Sequence, residues 1–428
     1  MPILHQRLPR PSVLLAAALL VLAAPAARAA SYLLVPMDLA QGNHLRAYGV
    51  AFHTLQAGDK VTWLLNYRGG SFLCDDTARV RLDARLLGVD FEELGEAQVA
   101  AIRAEVKQEN MDEVLLETPP RIAVYSPPNK QPWDDAVTLA LTYAEVPYDV
   151  VYDPDVLAGK LNDYDWLHLH HEDFTGQYGK FWRSYRNAAW YQEMVRESEE
   201  MAASLGFAKV SEMKLGVALA IRDYVVGGGY LFTMCSGTDS YDIALAAEGV
   251  DICGEMFDGD PMDPAAQQKL DFSKTFAFRD FQLETNPMVY EFSNIDATDI
   301  HGRIGQERDF FTLFDFSAKW DIVPTMLCQS HEQVVRGFMG QTTAFRGSLV
   351  KPGVTIMGEN KAQGTVKYIH GEFGLGQWTF YGGHDPEDYQ HMVGDPPTDL
   401  SLHPNSSGYR LILNNILFPA ARKKKQKT

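Results

Sequence analysis

Residues 231–244 read LFTMCSGTDSYDIA, and this stretch decides the fold. Tyr230 to Met234 is an apolar run with the length of a buried strand. Cys235-Ser236-Gly237 reads as a sharp turn, and Thr238 to Ala247 as a helix. A strand that breaks into a helix through a Cys or Ser and a glycine has the pattern of a nucleophile elbow. That turn lifts the side chain above a sheet, where the helix N-terminus favours a thiolate.

Outward from this unit the text alternates strand and helix. Arg121 to Tyr125 (RIAVY) predicts a buried strand, and Pro132 to Glu145 an amphipathic helix with proline near its start. Tyr148 to Tyr152 predicts a second strand, with a short helix after Asp153, and Asp165 to His170 a third strand. Residues 172–213 read as an insertion dense in aromatics, including Phe174, Tyr178, Phe181, Trp182 and Tyr191. Such an insertion either closes over a cleft or packs as a satellite core. Lys214 to Val226 predicts a helix capped by Gly227-Gly228-Gly229. Ile322 to Cys328 and Val354 to Met357 read as strands, Thr365–Ile369 and Gln377–Tyr381 as a hairpin, and Ser407 to Leu417 as a last helix. The alternation predicts an α/β fold on an open, mostly parallel sheet.

Thr118-Pro119-Pro120 marks a break. Before it, residues 31–117 predict a smaller α/β unit, again on a mostly parallel sheet. Its strands are Ser31–Pro36, Val61–Tyr67 and Val89–Leu94, and its helices His44–Gln56, Ala78–Leu87 and Glu96–Val106. Gly69-Gly70-Ser71 reads as a tight turn leading towards a helix, short of any nucleotide-loop spacing. The predicted organisation is a signal segment at 1–29, a small domain at 30–118, a larger domain at 119–421 and a basic tail at 422–428.

The chain has 428 residues, 46% of them hydrophobic, which is ample for a core. Lys plus Arg is 38 against 56 for Asp plus Glu, a formal charge of −18. That balance excludes a nucleic-acid footprint and charge-driven docking on an anionic membrane. Arg7 and Arg10, the apolar run Val13–Ala24 and Ala27-Arg28-Ala29 form a secretory signal pattern, with a mature start near Ala30. The expectation is export, to the periplasm in a cell with two membranes, with no membrane-spanning segment in the mature chain. Cys74, Cys235, Cys253 and Cys328 allow two disulfides in that compartment, in three connectivities.

Two further stretches carry chemistry. Gly374 to Asp388, GLGQWTFYGGHDPED, ends a hairpin in Gly383-His384. His384 there could serve Cys235 as base, with Asp385 or Glu387 orienting the ring. Residues 166–173, WLHLHHED, place His168 and His170 on one face of a strand, with His171 and Glu172 at its end. This is the C-terminal edge of a parallel sheet, where ligands bind. A zinc ion needs more than these two clear ligands, so these residues are read as lining a cleft, and no metal or cofactor is assigned.

The block from Arg121 onward resembles the class I glutamine-amidotransferase-like superfamily, including its ThuA-like branch. The superfamily elbow, Gly-x-Cys-x-Gly, is kept as Cys235-Ser236-Gly237, with Thr233 where the first glycine is expected. Its His-Pro-Glu is widened to His384-Asp385-Pro386-Glu387. Longer stretches, among them WLLNYRGGSF (63–72), KQPWDDAVTL (130–139), YDWLHLHHEDFTGQYGKF (164–181) and GGHDPEDYQH (382–391), resemble an exported bacterial family that commonly carries the label asparagine synthetase B. A true asparagine synthetase uses a Cys at the mature N-terminus and a Ser-Gly-Gly-x-Asp-Ser loop. Here the mature start is Ala30, and Ser236-Gly237-Thr238-Asp239-Ser240 is one residue short.

The resemblance implies a flavodoxin-like, amidotransferase-like fold and a Cys-dependent hydrolase of an amide or related acyl bond. Cys235 would be nucleophile, His384 base, Glu387 or Asp385 orienter, and the Gly237 and Thr238 N–H groups beside Ser236 the oxyanion hole. A second reading is a non-catalytic module. Its cleft of His168, His170, His171, Glu172 and the aromatics would hold a sugar or cell-envelope fragment. Glutamine-dependent asparagine synthesis, as the family label states, comes third.

Overall fold

The computed structural model describes Met1, residues 31–128 and residues 135–421. The rest of the signal segment, the basic tail at 422–428 and the Pro132 start of a predicted helix lie outside these described residues.

The first sheet is built from β1 (Ser31–Val35), β2 (Val61–Leu65), β3 (Ser71–Asp75), β4 (Glu92–Gly95) and β5 (Asp112–Leu116). Helices α1 (His44–Gln56), α2 (Ala78–Leu86) and α3 (Glu96–Gln108) connect them. Its order is β4-β1-β3-β2-β5 and every pairing is antiparallel, so the expectation of a mostly parallel sheet is overturned here. The cause is local. Asn66, Arg68, Gly69 and Gly70 all have positive φ, turning the chain back on itself within a few residues of β2. A connection that short joins only antiparallel neighbours. Gly69-Gly70-Ser71 therefore opens a strand and not a helix, and the Gly70 carbonyl accepts from the Trp63 indole N–H at 3.0 Å.

The second sheet starts with β6 (Ile122–Tyr125), α4 (Ala136–Tyr143), β7 (Asp149–Val151), α5 (Asp153–Leu157) and β8 (Trp166–Leu169). The insertion follows as α6 (Trp182–Tyr185) and α7 (Ala189–Ser204), then α8 (Val210–Val226), β9 (Tyr230–Met234) and α9 (Ser236–Ala246). Short helices α10 (Glu255–Asp258), α11 (Ala266–Lys269) and α12 (Thr298–Ile304) lead to β10 (Phe310–Leu313), α13 (Ile322–Leu327), β11 (Val334–Arg336) and β12 (Phe345–Arg346). Strands β13 (Thr355–Asn360), β14 (Thr365–Phe373) and β15 (Gly376–Tyr381) and helix α14 (Ser407–Leu417) complete the chain.

This ten-stranded sheet runs β11-β10-β13-β14-β15-β9-β8-β6-β7, with β12 on β14. Strands β7, β6, β8, β9 and β15 are mutually parallel, and the remainder is antiparallel. Counted along the chain, the parallel strands stand in the order 2-1-3-4-5, the flavodoxin-like order, with its switch point between β6 and β8. The protein is an α/β fold of one mixed sheet and one smaller antiparallel sheet.

Ile322–Cys328, expected as a strand, is the helix α13. Asp321 supplies its backbone carbonyl to both the N–H and the hydroxyl of Thr325, at 2.9 and 2.7 Å. A short apolar run has no period that separates strand from helix. Helix α14 is buried at every residue and packs against α1, α4 and α13, so one core runs between the two sheets. Arg410 of α14 is fully buried and donates to Met37 O at 2.9 Å and Tyr48 Oη at 3.0 Å in the first unit. Among the described residues no helix is long and apolar enough to cross a membrane.

Candidate functional site

Strand β9 stops at Met234 and α9 starts at Ser236, so Cys235 alone makes the turn, at φ +50° and ψ −143°. A non-glycine residue at positive φ stores about 1–3 kcal/mol of strain. Cys235 N–H donates to Gly383 O at 3.2 Å, and its carbonyl accepts from the Thr238 N–H and hydroxyl at 3.1 and 2.6 Å. A Cβ on Gly237 would stand 2.3 Å from His170 O, so only glycine fits there. This is the backbone of an elbow.

The thiol in that turn is sealed. Cys235 is 3% exposed, and its Sγ accepts from the Gln341 N–H at 3.3 Å. Burial pushes the thiol up to about 11, against the downward pull of the Gln341, Thr342 and Ser236 N–H groups. The Gly237 N–H already donates to His170 O at 2.7 Å, and the Thr238 N–H to Cys235 O. Neither aims at an oxyanion in this arrangement. The Ser236 hydroxyl is buried without a hydrogen-bond partner. All four cysteines are free thiols, so neither disulfide allowed by the count is formed.

His384 follows β15 through Gly382 and Gly383, and its N–H donates to Met339 O at 2.8 Å. Its ring lies on other histidines: 4.4 Å from His170 and 4.9 Å from His391, centroid to centroid. Burial, with the neighbouring His170, His171 and His391, pulls its pKa well below the usual range. Asp385 caps the following turn, accepting from the Glu387 and Asp388 N–H groups at 2.9 and 3.3 Å. Glu387 pairs with His403 at 3.0 Å. The structure thus brings Cys235, Gly383 and His384 to one sheet edge, but turns both expected orienting carboxylates to other partners.

At the end of β8, His168 and His170 share a face, and each reaches Asp135 Oδ1 at 3.2 Å. Asp135 is also the N-cap of α4, accepting from the Val137 and Thr138 N–H groups at 2.7 and 3.1 Å. Burial would raise its pKa, but His168 and His170 outweigh that and hold it well below the carboxylate range. The other ring nitrogen of His168 meets Phe232 O at 3.1 Å. Ring nitrogens of His170, His171 and His384 lie within 4.8 Å of one another. Sequence reading missed Asp135 and His391. Both stand in stretches quoted above, but their partners are distant in the chain.

Beyond His171 and Glu172 opens a cavity of about 460 Å³. It sits at the C-terminal ends of β6, β7 and β8, which is the switch point. Pro127, Tyr152 and Asp153 line one side, and Tyr178, Phe181 and Met201 of the insertion the other. The remaining insertion aromatics pack on one another, Tyr185 against Trp190 and Trp190 against Tyr191, so the segment is both wall and satellite core. Lys214 of α8, also on the lining, donates to Tyr125 Oη at 2.9 Å and Tyr152 Oη at 3.3 Å and pairs with Asp153 Oδ2 at 3.0 Å. Burial, opposed by Lys214 and reinforced by Asp153 and Asp173, pushes Glu172 up to about 7. Burial, with His170, pulls His171 down to about 3. Lys214 and Asp153 went unread because their pairing across 61 residues is purely tertiary.

No known protein-family profile matches the chain, and no curated protein matches it. Among solved structures, the chain is similar to the cytoplasmic protein STM3548 from Salmonella typhimurium at 9% identity and TM-score 0.35, over 71% of this chain and all of that one. STM1381 from Salmonella typhimurium LT2 is similar at 10% identity and TM-score 0.35, over 70% and 99%. A GH42 β-galactosidase, Gan42B, is similar at 12% identity and TM-score 0.27, over 63% of this chain and 28% of that one.

Proposed function

We propose that this chain is an exported binding protein for a polyhydroxylated small molecule, a sugar or a sugar-containing cell-envelope fragment. The observation that carries the reading is the cavity at the switch point of the parallel strands. Its volume falls within the roughly 300–1,000 Å³ typical of ligand sites. Among the described residues its acidic groups are Asp153, Glu172, Asp173, Glu197 and Glu200, and its cation is Lys214. Carboxylates accept from ligand hydroxyls, and Tyr152, Tyr178 and Phe181 offer flat apolar faces to a sugar ring. Export rests on the signal pattern at 1–29, and N-terminal sequencing of the secreted protein tests it by a start near Ala30.

Calorimetric titration with hexoses, amino sugars and N-acetylated amino sugars tests the binding reading. Met201→Trp fills the cavity from the insertion side, and it should abolish binding while leaving the circular dichroism unchanged. Failure of every sugar, or binding that survives Met201→Trp, would sink the proposal.

One observation favours the Cys-dependent hydrolase as a second reading: the strained φ of Cys235, with backbone N–H groups converging on its Sγ. Thiol labelling against pH, comparing wild type with His384→Ala, separates the two readings. Fast labelling that depends on His384 would favour the hydrolase.

A further inference from the structure

We propose that His170, His171 and His384 form a zinc-binding site beside the cavity. The inference stands on the histidine geometry and does not depend on what the cavity holds. Three imidazoles from two elements, the end of β8 and the loop after β15, offer nitrogens within 4.8 Å of one another. Nitrogens bound to tetrahedral zinc at about 2.0–2.1 Å stand roughly 3.3 Å apart, so the rings need close by no more than about 1.5 Å.

An independent observation points to a ligand. His170 is 1% exposed, and its Nε2 has no hydrogen-bond partner. A buried polar nitrogen left so is costly unless something binds it. The surroundings complete the pattern. Nδ1 of His170 faces Asp135 Oδ1 at 3.2 Å, the outer-shell carboxylate that fixes a ligating imidazole with its other nitrogen towards the metal. His168 belongs to that outer shell, since both of its nitrogens are occupied by Asp135 and Phe232 O. Three protein nitrogens leave a fourth zinc position open, as in catalytic sites. His171 also lines the cavity, so the ion would stand at its edge.

The test uses the full mature chain, stripped with a chelator and titrated with zinc chloride while bound metal is counted. One zinc ion per chain is expected. His170→Ala and His384→Ala should each weaken binding by more than about 100-fold, and Asp135→Asn by roughly 10–100-fold, the usual effect of losing an outer-shell partner. Cys253→Ser and His391→Ala, which alter the two candidate clusters that share no residue with this site, should leave zinc affinity unchanged. If an alanine variant unfolds, cobalt substitution of the wild type decides. Tetrahedral visible bands without a thiolate charge-transfer band support the histidine site, and a thiolate band places the metal on a cysteine and overturns it. No stoichiometric zinc, or equal affinity in wild type and in folded His170→Ala and His384→Ala variants, also overturns it.

Discussion

The elbow around Cys235 and the cavity around Lys214 sit on the same edge of the same sheet, yet they are opposites. At the elbow the N–H groups of Gly237 and Thr238 are consumed by internal acceptors and the thiol is covered. At the cavity a buried Lys214–Asp153 pair and a carboxyl with a raised pKa line open volume. The contrast teaches that an elbow is a backbone property, whereas a site needs polar groups with capacity left for a ligand. Strain at one residue marks where a nucleophile could stand, but does not supply its base or its oxyanion donors.

The largest break in this comparison is Lys214→Met. It leaves Asp153 buried without its cation, and urea unfolding should show a loss of about 3–5 kcal/mol. Cys235→Ala, at the elbow, removes the acceptor on which the Gln341, Thr342 and Ser236 N–H groups converge but leaves no buried charge unpaired, and should cost about 1–3 kcal/mol in the same assay. Equal losses would erase the distinction drawn between the two regions.

Thiol chemistry gives the next largest effect. With its pKa near 11, Cys235 should alkylate at neutral pH at least about 100-fold more slowly in the native protein than in urea, where an ordinary thiol sits near 8.5. Mass spectrometry of the labelled peptide reads this directly, and rapid native labelling would make the elbow the reactive site.

Two buried carboxyls then sharpen the contrast through pH. Burial pushes Asp239 of α9 up to about 7. Between its unfolded pKa near 4 and 7 the folded state holds more protons than the unfolded state, so the stability this group contributes is present at acid pH and lost as pH rises. Asp239→Asn should therefore match wild type near pH 4 and exceed it by on the order of 4 kcal/mol above pH 7 in thermal melts followed by calorimetry. A gap that opens on acidification would refute the assignment.

Glu172→Gln should behave with the same sign but a smaller gap, on the order of 1 kcal/mol, because Glu172 borders open volume. A saturating amino sugar should shrink the Glu172 gap and leave the Asp239 gap intact. If both shrink alike, the ligand does not sit in the cavity.

Much of this molecule is legible from its residues. The apolar runs of β6 and β9, the Asn43-capped α1 and the hairpin of β14 and β15 follow from periodicity and turn chemistry, which act within a few residues. The Cys-Ser-Gly turn announces its elbow for the same reason, since an apolar strand there breaks at once into a helix. Strand direction in the first sheet escaped because β3 follows the positive-φ turn at 66–70 directly and pairs with β1, a partner far back in the chain. Helix α13 escaped because an apolar run of that length has no decisive period.

What the chain could not declare locally is which polar groups meet. Local sequence determined the α/β elements, the strained position of Cys235 and the common face of His168 and His170, because backbone preference and side-chain alternation are short-range. Only the tertiary structure decided that Glu387 pairs with His403, that His384 lies on His170, and that Lys214 meets Asp153 beneath the cavity. Those pairings depend on how the elements pack and which charges lose their water together, and no single segment carries that information.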